Sequence, residues 1–285
     1  MASKTIRVLS LFSGCGGMDL GLEGGFSIHK GCINEKSNPD FIEKQERGDL
    51  VKLYSTRFQL VFANDILKEA RTAWVHYFAK YGYTPDVYRE ESIVDLVKRH
   101  KAGELIFPEK VDVVTGGFPC QDFSVAGKRN GFNSHKDHKG KIIDGEIASE
   151  ETRGKLYMWM KEVIEITKPK LFIAENVKGL VNLSNVKEII QQDFSRADGD
   201  GYIVLEPRVL HAADYGVPQS RERVIFIGIR KSALTPAARE ALMRDVIPDE
   251  YVPYPSPSHA YHIKNKGLMP PQTVGGMFAG LKEPE

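Results

Sequence analysis

The sequence predicts an α/β fold, a doubly wound and mostly parallel sheet flanked by helices. Three observations predict it. Short apolar, β-branched runs alternate with stretches of helical spacing along most of the chain. The first run ends in a glycine turn, Ser13-Gly14-Cys15-Gly16-Gly17, that opens a helix. Later runs end in Asp65, Cys120 and Glu175, as expected where parallel strands present their carboxyl edges to one crevice.

A chain of 285 residues is long enough to bury a substantial core without covalent staples. Its three cysteines, Cys15, Cys32 and Cys120, have no paired or CxxC spacing, so neither a disulfide framework nor a zinc site is indicated and no metal is expected. A reducing compartment fits best. No apolar run suits export or reaches membrane-spanning length, so the expectation is a soluble, cytoplasmic protein without a membrane partner. A formal charge of +1 gives no global basic field, and contact with nucleic acid would need local patches or a partner.

In chain order, residues 6–12 read as a strand, and the glycine turn after it leads into a helix from Met18. Missing side chains there let backbone N–H groups approach an anionic ligand. The third spaced glycine of a dinucleotide fingerprint is absent, which favours a smaller ligand with one nucleoside and a carboxylate. Residues 24–58 read as an inserted surface excursion. The next strand covers 59–63, and Asp65 beyond it suits a ribose diol or, equally, caps the helix over 67–78. A turn-prone aromatic stretch, 81–88, precedes Ser92, Ile93 and a short helix over 94–100.

The run Val111-Asp112-Val113-Val114-Thr115-Gly116-Gly117-Phe118-Pro119-Cys120-Gln121 is the centre of the reading. A buried strand breaks at two glycines and a proline, and a cysteine stands on the turn where a thiolate would face the crevice. Residues 121–151 read as a core-free loop, either a flap over a bulky substrate or plain solvated chain. An apolar stripe over 156–167 is a core helix stopped by Lys168-Pro169. The strand over 171–174 then ends in Glu175-Asn176-Val177, where Glu175 is a candidate acid or a structural ion-pair partner. A helix over 186–194 and strands over 202–205 and 224–229 follow. Arg221 and Arg223, two apart at a strand start, point to one face. Seven of the fifteen prolines lie after residue 247, so the expected organisation is a domain over 1–247 and a proline-rich linker, or the start of a further region, over 248–285.

Five pieces in this order, Leu11-Phe12-Ser13-Gly14-Cys15-Gly16-Gly17, Gly117-Phe118-Pro119-Cys120-Gln121, Arg153-Gly154-Lys155-Leu156, Glu175-Asn176-Val177 and Gln219-Ser220-Arg221-Glu222-Arg223, resemble the C5-specific DNA cytosine methyltransferases of bacterial restriction-modification systems. The resemblance runs over about residues 6–230. It implies the Rossmann-like fold of S-adenosylmethionine-dependent methyltransferases, with S-adenosylhomocysteine as product and duplex DNA as partner. It implies that Cys120 adds to cytosine C6, Glu175 steadies N3 and the exocyclic amine, Arg223 holds the ring carbonyl, and Arg221 orients Glu175 or a phosphate. It also implies a base flipped out of the duplex. For the cofactor it implies Phe12 against adenine, the turn Gly14, Cys15, Gly16 and Gly17 around the methionine portion, and Asp65 on the ribose. Ile66, Ile93, Pro119 and Leu156 would complete the slot, with Ser92 standing where the family usually has an acidic residue.

The family's target-recognition region and its later sheet-closing segment are not found before Glu285. The expectation is either a longer protein or a second polypeptide that completes the enzyme. Three other readings stand beside the main one: an RNA cytosine-5 methyltransferase, a non-catalytic scaffold that binds cofactor or DNA, and a nicotinamide-dependent oxidoreductase. Retention of both Cys120 and Glu175 weighs against the scaffold, and the glycine turn weighs against pyrophosphate.

Overall fold

The computed structural model describes residues 4–119, 156–182, 185–199, 201–262 and 267–279. In chain order its regular elements are β1 (Ile6–Leu11), α1 (Gly17–Glu23), β2 (Ser27–His29), β3 (Ile42–Gln45), β4 (Leu50–Leu53) and β5 (Phe58–Asp65). Then come α2 (Lys68–Phe78), β6 (Tyr88–Glu90), α3 (Ile93–Lys101), β7 (Val113–Gly116), α4 (Leu156–Thr167) and β8 (Leu171–Val177). The remainder are α5 (Val186–Ser195), β9 (Tyr202–Val204), β10 (Arg208–His211), β11 (Glu222–Arg230), α6 (Pro236–Leu242) and α7 (Val274–Phe278). Among the described residues no helix is long and apolar enough to cross a membrane.

The chain divides into two compact units, one of residues 1–22, 57–208 and 224–252, the other of residues 23–56, 209–223 and 253–285. The expected domain boundary at 247 falls five residues before the division at 252. Residues 253–285 are grouped with 23–56 and 209–223. Within that second unit, Asn34 Nδ2 donates to the carbonyls of Ser258 (2.9 Å) and Gly267 (3.1 Å), and buried His259 is held by Gly31 O at 2.9 Å.

The first unit is built on a sheet of order β11-β8-β7-β1-β5-β6, with β9 antiparallel on β11. The pairs β1/β5, β1/β7, β7/β8 and β5/β6 are all parallel. The doubly wound expectation therefore holds. The chain runs outward from β1 through β5 and β6, then returns to start the other flank at β7. The order reverses between β1 and β7, and ligand crevices of such sheets open at that point, beyond the strands' carboxyl ends. Buried strands supply the core: Val8, Leu9, Leu11, Val114, Phe172 and Phe226 are almost wholly covered, with Met160, Val163 and Ile164 of α4 packed among them. On the β5/β6 side, Trp74 stacks on Phe78 at 4.5 Å and packs against Tyr88.

The second unit contains what sequence reading took for a featureless excursion. Residues 24–58 carry a three-stranded antiparallel sheet of order β2-β4-β3. These strands are three or four residues long and mostly solvent-facing. Their backbone pairing is real, but there is too little apolar alternation to announce it. β6, three residues long, starts on the last residue of the aromatic stretch 81–88 and escaped for the same reason of length.

Candidate cofactor and catalytic site

The ends of the central strands are locked together by polar side chains. After β1 the chain turns at Phe12, whose φ of +52° is strained for a bulky residue and marks a backbone shaped by its surroundings. Ser13 N donates to Asn64 O at 2.8 Å, and Asn64 N donates back to Ser13 Oγ at 3.1 Å. Buried Asn64 then sends its Nδ2 to the carbonyls of Arg89 (3.0 Å) and Glu91 (2.8 Å), fastening β5 to the segment after β6.

A cavity of about 270 Å³ opens beside this lock. Phe12, Asp65, Ile66, Ser92, Ile93, Pro119 and Leu156, seven of the residues expected at the cofactor, all line it. Sequence reading missed three more lining residues, Asn64, Leu67 and Gly117. Asn64 and Leu67 flank expected positions, so adjacency was their only signal. Ile66 and Leu67 are 39 % and 55 % exposed, an apolar surface that a bound ring would cover.

The glycine turn stands next to this cavity's wall. Gly14, Cys15, Gly16 and Gly17 are not among the cavity's lining residues. The turn is tied to that wall instead: Gly14 N donates to Asp65 Oδ2 at 3.0 Å, and Tyr88 Oη donates to Gly14 O at 3.0 Å. Burial, followed by the nearby charge of Asp65, pushes the Tyr88 phenol far above its ordinary range, so it stays a donor. Gly16 has φ +87°, and a β-carbon there would lie 2.5 Å from Phe78 and 2.7 Å from Trp74. Only glycine meets both demands. Asp19 anchors α1 below the turn by accepting from Trp74 Nε1 at 2.8 Å.

The residues present fit a nucleoside cofactor. Asp65 accepts Gly14 N through Oδ2 and Leu67 N through Oδ1 (3.1 Å), which fixes the carboxylate while leaving lone pairs for a diol. The bond to Leu67 N lies one position ahead of α2, which begins at Lys68 with Leu67 and not Asp65 as its N-cap. Ser92 is the N-cap of α3, its Oγ accepting from Val94 N at 3.3 Å, and this fixes the hydroxyl at the cavity wall. The ring of Phe12 and the aliphatic side chains of Ile66, Ile93 and Leu156 make an apolar wall that suits a purine.

Toward the catalytic end, the register pairs Gly116 of β7 with Ala174 of β8, which sets Gly117 beside Glu175. Glu175 Oε2 would lie 3.3 Å from a β-carbon at position 117, so the glycine gives the carboxylate its room. Glu175 is inside β8, two residues before its end, where sequence reading placed it just beyond a shorter strand. Its neighbour Asn176, 1 % exposed, donates from Nδ2 to Phe118 O at 3.2 Å and accepts Val177 N through Oδ1 at 2.8 Å. This bond holds the turn two residues ahead of Cys120. Cys120, the loop 121–151 and Arg153-Gly154-Lys155 lie outside the described residues.

Arg221 and Arg223 belong to the second unit. Arg223 is the second residue of β11, half-buried, with Nη1 donating to Glu222 O at 2.8 Å. Arg221 is exposed and precedes the strand, its carbonyl accepting Ala212 N at 2.8 Å. β11 begins at Glu222, so Arg223 lies in the strand and Arg221 immediately before it.

A model of the C-5 cytosine-specific DNA methylase family matches residues 6–266. The chain is 34% identical over 278 residues to the type II methyltransferase M.BsuRI of Bacillus subtilis, covering 97% of this chain and 51% of that protein. Over 213 residues it is 32% identical to the type II methyltransferase M.HpaII of Haemophilus parainfluenzae, covering 69% and 49%. Over 230 residues it is 34% identical to the type II methyltransferase M.BspRI of Lysinibacillus sphaericus, covering 80% and 45%. The chain spans about half the length of these relatives. With the doubly wound sheet and the cavity at its switch point, the match over most of its length places this chain in the C-5 cytosine-specific DNA methylase family.

Proposed function

We propose that this chain carries the cofactor-binding and catalytic half of an enzyme that methylates C5 of a flipped-out cytosine in duplex DNA. The observation that carries the reading is the convergence of Phe12, Asp65, Ile66, Ser92, Ile93, Pro119 and Leu156 on one cavity, with Glu175 against its Gly117 wall. S-adenosylmethionine, when bound, supplies an electrophilic methyl sulfonium. The protein's part is to make the ring a nucleophile. Cytosine C5 attacks carbon poorly until a thiolate bonds to C6, and Cys120 is the thiolate we assign to that bond. Charge then builds on N3 and the amine, where Glu175 donates or shares a proton. Arg223 holds the ring carbonyl, Arg221 orients the acid or a phosphate, and loss of the C5 proton lets Cys120 leave.

Within this reading Asn176 is a positioning residue. Its bond to Phe118 O sets the direction in which the chain enters the Cys120 turn. Target choice needs residues supplied by a continuation of the chain or by a second polypeptide, a proposal supported by relatives about twice as long. No metal takes part in this chemistry, and the compartment is the cytoplasm.

The test is S-adenosylmethionine binding by calorimetry, combined with methyl transfer to duplex DNA and to tRNA. Ile93→Trp fills the cavity and should abolish binding, while Cys120→Ala should keep binding and lose transfer. Methyl transfer that survives Cys120→Ala, or that prefers tRNA, contradicts the proposal. The chain alone should methylate DNA weakly and without sequence preference; robust specific methylation by residues 1–285 refutes the need for further recognition residues.

A further inference from the structure

The second unit holds a cluster outside this chemistry. His211 closes β10, Asp214 follows in the next turn, and His262 comes from the chain's later segment. One donor atom from each lies within 4.8 Å of the other two. His211 and Asp214 are buried and His262 is exposed. Sequence reading sought metal ligands only through cysteine spacing, and this trio is assembled by the fold.

Three features mark it as a built site. His211 Nε2 lies 3.3 Å from Ser220 Oγ, while its Nδ1 is buried without a hydrogen-bond partner. A metal-binding histidine commonly has one ring nitrogen fixed by an oxygen and the other's lone pair free for the ion. His211 is 6 % exposed, so water does not offset the cost of an unfilled acceptor there. Asp214 divides its carboxylate: Oδ1 accepts His262 N at 2.9 Å, and Oδ2 lies 3.2 Å from His262 Nδ1. Two ligands of a tetrahedral zinc ion stand about 3.3 Å apart, given metal–nitrogen and metal–oxygen bonds of about 2.0–2.1 Å, and the Asp214–His262 spacing already has that value. Closing the remaining gap to buried His211 takes up to about 1.5 Å, a movement open to the exposed His262.

We propose that His211, Asp214 and His262 form a binding site for a divalent transition metal of the zinc class, with water as a further ligand on the exposed His262 side. The two imidazoles select Zn²⁺ over Mg²⁺ or Ca²⁺, and the carboxylate is a ligand zinc also accepts. The bound ion fastens the segment around His262 to the turn after β10, where Asp214 O already receives the amides of Ser258 and His259, both at 2.9 Å. Its role is structural, independent of methyl transfer.

The test strips the full chain with a chelator and titrates it with Zn²⁺ against a chromophoric zinc indicator, then with Co²⁺ for its visible spectrum. The expected result is one ion per chain, with affinity falling about tenfold or more in His262→Ala and in His211→Ala. His262 is exposed, so His262→Ala should match the stripped wild type in thermal midpoint, and Zn²⁺ should raise the midpoint of the wild type alone. The Co²⁺ spectrum should lack a thiolate charge-transfer band. No bound ion, affinity unchanged by His262→Ala, or a thiolate band that persists in that variant would overturn the assignment.

Discussion

At the scale of single residues, the account makes Tyr88, Asn176 and Gly117 as consequential as the side chains that touch reactants. Tyr88→Phe removes one hydroxyl and leaves Gly14 O without its buried donor. It should cost about 1 kcal/mol of stability and weaken S-adenosylmethionine binding, read by thermal unfolding and calorimetry. Asn176→Ala unpairs the buried Phe118 carbonyl, at a cost of about 1–3 kcal/mol. Turnover should fall while cofactor affinity stays near wild type, since the cavity walls are untouched. Gly117→Ala would crowd Glu175 at 3.3 Å and also alter the cavity wall, so affinity should fall somewhat and turnover more. Equal losses in both quantities would mean that these residues only hold the fold.

Asp198 gives a prediction in pH. Burial pushes its carboxyl up, but the Lys168 hydrogen bond and the charges of Arg230 and Lys168 outweigh that and hold it below the usual carboxylate range. A depressed folded-state pKa stabilises fully above the unfolded value of about 3.9 and is lost as pH falls through the folded value. Unfolding free energy should therefore decline on acidification below about pH 4. Asp198→Asn should be less stable at neutral pH and show a shallower decline, measured by denaturant titration across the acid range.

At the scale of elements, the long buried strands and the stripe of α4 were legible because their apolar periods are strong. β1, β7 and α4 agree with the expected spans to within two residues. β8 runs three residues further than its apolar stretch, since Glu175, Asn176 and Val177 continue the ladder despite their polarity. The sheet β2-β4-β3 was illegible because strands of three or four residues, with Val51 the one buried side chain among them, carry no usable alternation. Site residues followed the same division. Phe12, Asp65 and Ile93 sit at strand or helix ends that the pattern marks, whereas Tyr88 reaches Gly14 across 74 positions and leaves no local trace. His211, Asp214 and His262 are a similar case, since 48 positions separate the last two. At this scale Gly16→Ala is the sharpest probe. The added methyl meets Trp74 and Phe78 at a positive φ, and the variant should lose about 2 kcal/mol or more, read in denaturant unfolding.

At the scale of the whole molecule, strand order explains why distant sequence pieces meet. Reversal between β1 and β7 brings the ends of β1, β5, β6 and β7 to one edge, where with Leu156 of α4 five separate stretches line one cavity. A sheet of this kind serves many chemistries, and what selects one is the set of groups at its edge. Here that set is a fixed carboxylate at Asp65, apolar walls, Glu175 beside Gly117, and the Phe118 carbonyl held by Asn176. The most direct measurement is covalent capture of the full chain on duplex DNA containing 5-fluorocytosine with S-adenosylmethionine present, followed by peptide mass spectrometry. The account predicts a stable adduct on Cys120 that disappears in Cys120→Ser. An adduct on Cys15 or Cys32, or one that forms equally in Cys120→Ser, would contradict it.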